Sequence, residues 1–310
     1  MITIRMPLAG ALGIVLIFGT ISLDAGNEKT RQTQAEINWY MGLDQLHRGD
    51  LREAVVSLSA FLQAQPREAK GYLARGNAYV GIQSYPDALN DFNQAALLDP
   101  ASMEPYIGRA LVYLAMGRDQ RRRWTELNER VRINPTDFSA GSERASAMKD
   151  MEGCLAQAWS NCDRAIQMDN TKAKTYVLRG EIRMEQSYIN LSSNQRGYAI
   201  EDFNRALELD PKLTDAYFRR GICLMVANRS EEALRDFKET LRQEPNHAGA
   251  YFHSGECYEK LYQEEEAGQA YLRCLRLITK MNEPELFDEI EKRLNRLKQR
   301  IPSKRMDVEL

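Results

Sequence analysis

Residues 69–102 read AKGYLARGNAYVGIQSYPDALNDFNQAALLDPAS, and the rest of the chain can be laid against them. Small residues at Gly76, Ala88 and Ala95, rings at Tyr72, Tyr79 and Phe92, and Pro100 near the end mark two short amphipathic helical halves. Neither half can cover an apolar face alone, so the pattern asks for neighbours of the same kind. Those neighbours exist. Gly42, Gly76, Gly221 and Gly255 fall in one column, Ala54, Ala88, Ala233 and Ala267 in a second, and Leu58, Phe92, Phe237 and Tyr271 in a third. Pro66, Pro100 and Pro245 close their units.

This order of small, aromatic and proline positions over 34 residues resembles the tetratricopeptide repeat (TPR). The resemblance implies an all-α, right-handed solenoid of about seven helix hairpins. Residues 35–68, 69–102, 214–247 and 248–281 are intact units. Residues 103–138 keep Tyr106, Ala110 and Tyr113 with one residue added near Gly117, and 139–172 form the weakest unit, with Ala145, Ala158, Cys162 and Ala165 at its small or apolar positions. Residues 173–213 fit with seven extra residues placed between the helices, around 186–197. Asp50 with Glu53, and Ser84 with Asp87, have capping-box spacing. Leu286, Ile290, Leu294 and Leu297 recur at helical spacing within 282–301, which predicts a capping helix over the last unit, and 302–310 read as a loose tail.

The start of the chain has a different character. Arg5 precedes a run without charge over residues 6–23, which reads either as a cleaved signal or as a retained anchor within 1–24. Either reading places the repeats across a membrane, exported or membrane-anchored, with membrane contact only through an uncleaved segment. Residues 25–34 read as a flexible linker.

Composition narrows the chemistry. In 310 residues, 42 basic and 44 acidic side chains leave a net charge of -2, which implies no nucleic-acid partner. Cys154, Cys162, Cys223, Cys257 and Cys274 form neither a disulfide framework nor a zinc motif, although a Cys257–Cys274 bridge is open to an exported chain. Cys223 and Cys257 occupy equivalent packing positions. No metal, cofactor or catalytic residue is expected, and no phosphate loop, HExxH or GxSxG is present. The basic run 118–124, RDQRRRW, reads as a solvated turn.

Two sets of residues are singled out. Arg75, Arg179 and Arg220 stand at the seventh place of their units and Asp91, Asp202 and Asp236 at the matching later place, which predicts structural pairs across each hairpin. The TPR resemblance implies a partner peptide or helix on the concave face formed by the first helix of each pair. Carried over by position, that face comprises Trp39, Leu43, Lys70, Leu73, Asn77, Ile107, Leu111, Val177, Glu181, Phe218, Ile222, Phe252 and Glu256, with Glu104 and Lys174 at its second places. Leu73, Gly108 and Asp215 break the two-carboxylate clamp of TPR co-chaperones. The expectation is therefore a non-catalytic scaffold that binds another protein at a cell envelope. The alternative is a cytosolic adaptor not of the clamp type.

Overall fold

The computed structural model describes residues 28–190 and 193–300, which contain thirteen helices and no strand. They are α1 (Glu28–Arg48), α2 (Leu51–Ala64), α3 (Ala69–Gly81), α4 (Tyr85–Leu98), α5 (Glu104–Ile133), α6 (Phe138–Met168) and α7 (Ala173–Asn190). Then follow α8 (Ser193–Leu209), α9 (Thr214–Val226), α10 (Ser230–Gln243), α11 (Ala248–Lys260), α12 (Glu264–Leu277) and α13 (Pro284–Arg300). Each odd helix pairs with the even helix after it, each even helix packs on the next odd one, and α13 closes the stack on α12. Odd helices also touch their odd neighbours from α1 through α11, while even helices show no comparable contact with one another. The stack therefore curves with the odd helices inside.

The columns explain the close packing. Phe92 lies between Gly76 of its own hairpin and Gly108 of the next, where an added Cβ would meet the ring at 2.8 and 2.6 Å. Phe203 covers Gly180 and Phe237 covers Gly221 in the same way. Each ring is fully buried, so its loss would cost roughly 3–5 kcal/mol. One residue reverses the chain inside four hairpins: Gly49 at φ 84°, Gln83 at 61°, Asn228 at 60° and Tyr262 at 58°. Between hairpins a side-chain oxygen accepts the backbone N–H two residues on, as in Asp99 to Ala101 (3.2 Å), Asp169 to Thr171 (2.9 Å) and Asp210 to Lys212 (3.0 Å). The expected capping boxes are not made. Asp50 has no side-chain cap bond, and Ser84 Oγ donates instead to the Asp87 carboxylate at 2.6 Å.

Residues 103–172 correct the count of hairpins, because they form one long pair, α5 and α6, in place of two units. The stack thus has six hairpins and a capping helix. Once the residue added near Gly117 is allowed for, Arg123 stands where the intact unit has Ala88, so a second helix there would lack the small residue that lets it fold back against the first. The chain runs on through Gly117 and the supposed turn at 118–124, and α5 meets α6 with Gly117 opposite Leu155. That register leaves residues 103–117 and 154–172 as one ordinary 34-residue unit, from which 118–153 project as a helical spur. The spur closes around Leu127, Ala140 and Ala147, with Trp124 and Val131 against them. Its tip exposes Ile133 (73%) and Phe138 (84%).

Two other expectations change, and the bridge left open between Cys257 and Cys274 is not formed. The additional residues in 173–213 lengthen both helices, giving 18 residues in α7 and 17 in α8 against 13 and 14 in α3 and α4. Residues 28–34 are helical, not a spacer, because EKTRQTQ consists largely of good helix formers without Gly or Pro. The cysteines are all free: Cys257 packs into the α9–α11 seam and Cys274 into the α12–α13 seam. The signal or anchor at 1–24 and the tail at 302–310 lie outside the described residues. Among those residues no helix is long and apolar enough to cross a membrane.

Candidate functional site

The inner wall is built by the odd helices, whose fifth and ninth places recur one helix apart. On α1 the Trp39 ring lies 5.2 Å from Phe61, with Lys70 Nζ of α3 at 5.1 Å from the indole. Leu43 and Leu73 are half-buried against the first two hairpins, and Asn77 is exposed. On α5, Ile107 is half-buried and Leu111 is 45% exposed. This end of the wall is open, with half-buried aliphatics and the exposed Leu111 beside the exposed Lys70 and Asn77. Glu104 and Lys174 are exposed.

The middle of the wall differs from the expectation. Val177 is 6% and Glu181 is 9% exposed, so neither presents a free surface. Glu181 accepts from Arg118 Nη2 at 2.6 Å and faces Arg219 Nε at 3.1 Å. Glu185, also buried, accepts from the Nε atoms of Arg118 and Arg121, each at 2.9 Å. Burial pulls the Arg118 guanidinium down, but the two carboxylates outweigh it and hold it above its ordinary value. The physical cause is length: α5 continues past its neighbours and brings these arginines over α7.

The last part of the wall is also occupied by the chain. Phe218 is flanked by His247 (4.3 Å) and His253 (5.8 Å), with Ile222 half-buried beside it. Arg293 of α13 sits 5.6 Å from the Phe252 ring and donates to Glu256 (3.1 Å), Glu259 (2.6 Å) and Glu289 (2.8 Å). Burial pushes the Glu256 carboxyl up, but the His253 hydrogen bond and the His253 and Arg293 charges more than reverse this and hold it below the usual range. Arg118, Arg121, Arg219 and Arg293 escape a reading by columns because each answers to a helix outside its own hairpin.

The structural pairs have a second component. Arg75 donates to both oxygens of Asp91 (2.8 and 2.7 Å), Arg220 to both of Asp236 (2.8 and 2.7 Å), and Arg179 Nη2 to Asp202 at 2.6 Å. The same guanidinium groups reach the preceding hairpin, Arg75 to Ser59 Oγ at 3.0 Å and Arg220 to Asn204 Oδ1 at 2.7 Å. Arg109 makes the backward bond to Asn93 (2.9 Å), while its buried Nε has no acceptor. By the register of α5 on α6, Asn161 stands where an Asp would be. Because the carboxylates are buried, removing either partner would strand an unpaired charge, and at Asp202 burial outweighs the arginines and pushes the carboxyl above its ordinary value.

Burial makes poor nucleophiles of the thiols, the half-buried Cys154 included. Burial pushes Cys162 and Cys223 up to about 12 and Cys257 and Cys274 up to about 11. Among the described residues no cluster of His, Cys, Asp or Glu could hold a metal ion.

Comparison with known proteins agrees with this architecture. A family profile described as "Tetratricopeptide repeat" matches residues 41–104 and 224–279. Human "Tetratricopeptide repeat protein 6" is 25% identical over 179 residues, which are 56% of this chain and 32% of that protein. The chain therefore spans about a third of that relative's length. Among solved structures, PilW, a "widely conserved type IV pilus biogenesis factor", is similar with a TM-score of 0.58 at 16% identity, covering 83% of this chain and 98% of PilW. Pseudomonas aeruginosa pilF gives 0.56 at 15% identity over 85% and 99% of the two chains. The Thermus thermophilus TPR protein TTC0263 gives 0.52 at 15% identity over 74% and 100%.

Proposed function

From the premise that the chain carries tetratricopeptide repeats in a single curved stack, we propose that it is a non-catalytic adaptor that holds a peptide or partner helix on its inner wall. The observation that carries this reading is the open aliphatic surface of α1, α3 and α5, where Leu111 is 45% exposed on the inside of the curve. Covering an exposed apolar side chain is favourable, and this one lies on the side that the curve leaves open. A photoreactive residue at Leu111 should capture a partner protein, while one at Val56, exposed on the outer layer, should not. Equal capture at both positions would remove the reading.

We further propose that the adaptor works at a cell envelope in the assembly of a protein complex. The apolar run at 6–23 supports this, as does the likeness in fold to a pilus biogenesis factor. Fractionation of the full chain beside a form lacking residues 1–24 tests it. Recovery of both forms in the cytosol would favour a cytosolic adaptor instead.

A further inference from the structure

We infer that the chain closes the carboxy-terminal half of its own inner wall and takes its partner on the amino-terminal half, as an amphipathic helix with an aliphatic stripe and no charge at its centre. The inference rests on the wall-binding reading above and narrows it to a place and a chemistry.

The closed half is closed by the chain's own charges. Glu181 and Glu185 on α7 are held from α5 by Arg118 and Arg121, and Glu181 also from α9 by Arg219. A partner lying across α7 would have to strip buried carboxylates of their cations, because this seam ties three consecutive inner helices. Further on, Arg293 already fills the place beside Phe252 and Glu256 that a partner's side chain would need.

The open half has the opposite character. Leu43, Leu73, Ile107 and Leu111 line it, with Asn77 exposed among them and Glu104 at the start of α5, and its cation Lys70 is held by Glu68 (3.6 Å) and by the Trp39 ring. Such a surface complements aliphatic side chains and gains little from a charged one. Neighbouring wall helices lie about 8–10 Å apart, and seven residues of a partner helix advance about 10.5 Å. Apolar residues two turns apart on one face would therefore meet Trp39, Leu73 and Ile107, the fifth places, in succession, with Leu43 and Leu111 one turn beside them. Three wall helices accommodate a segment of about 15 residues.

The test is to pan a displayed library of random peptides, about 15 residues long, against the full chain. Selected peptides are then synthesised and their binding measured by fluorescence anisotropy to wild type, Leu111→Glu and Ile222→Glu, each checked for folding by its melting curve. We expect aliphatic residues at a spacing of seven and a loss of about tenfold or more in Leu111→Glu. Ile222→Glu should retain wild-type affinity, and affinity should change less than about twofold between roughly 0.05 and 0.5 M salt. Should Leu111→Glu fail to fold, Asn77→Arg on the same open surface repeats the measurement. Loss of binding in Ile222→Glu with Leu111→Glu unaffected, or a steep salt dependence, would overturn this inference and leave wall binding standing. Peptides indifferent to every variant, or no selected peptide, would overturn both.

Discussion

At the scale of single residues, each repeated guanidinium serves two hairpins. Arg75→Ala should remove the bidentate bond to Asp91 and the bond to Ser59 together, leaving Asp91 buried without its cation. The expected loss is about 3 kcal/mol, the lower end for breaking a buried pair, and denaturant unfolding measures it. Glu256 gives a dependence on pH. Its carboxyl is held below the unfolded value, so the stability it contributes is present above about pH 4.3 and is lost as the pH falls through the folded value. Melting temperatures taken from neutral pH downward should show a shallower acid decline in Glu256→Gln than in wild type. These arginine and aspartate columns were legible in the sequence because Arg75–Asp91 and Arg220–Asp236 share an offset of 16, and Arg179–Asp202, at 23, keeps it once the seven extra residues of its unit are allowed for. The bonds from Arg118 to Glu181 and Glu185 cross 63 and 67 positions and belong to no column, so periodicity cannot reveal them.

At the scale of elements, the long α5/α6 pair shows which signal decides a turn. Gly117 occupies the place where Gly49, Gln83, Asn228 and Tyr262 adopt positive φ, and a turn was the natural reading there. The glycine only permits reversal. The returning helix must be able to pack, and Arg123 in the small-residue column of Ala88 prevents it. Each arm of the spur holds 16 helical residues, and the parts on either side of it, 103–117 and 154–172, together have the 34-residue length of an intact unit. Removing residues 118–153 should therefore leave a regular unit with Gly117 at its turn, and circular dichroism should show a folded helical protein. Glu181 and Glu185 would then lack Arg118 and Arg121, so the shortened chain should melt lower, and Glu181→Gln with Glu185→Gln should restore part of the difference. The reverse conflict appears at Tyr262, a ring-bearing residue at φ 58° with a side chain almost wholly in solvent. Tyr262→Gly should raise stability by about 1 kcal/mol.

At the scale of the whole molecule, the stack is a row of near-neighbour contacts, and its end, α13, is tied back to α11 by Arg293. Arg293→Ala should loosen the last hairpin before the rest, seen as faster amide exchange in α11 to α13 than in α3 and α4. The sequence made the stacking legible, because burial repeats with the unit. It concealed how much of the inner wall the chain keeps for itself, because the two insertions and the capping helix lie outside the repeat. The spur adds something beyond contact. With 16 helical residues on each side it reaches about 24 Å from a root pinned on α7. An arm fixed at one end acts as a pointer: a tilt of about 5° at the root swings the tip by ~2 Å over that length. A spectroscopic label at Phe138 would thus register small changes in the seat of α5 that the seat itself is too tightly packed to display.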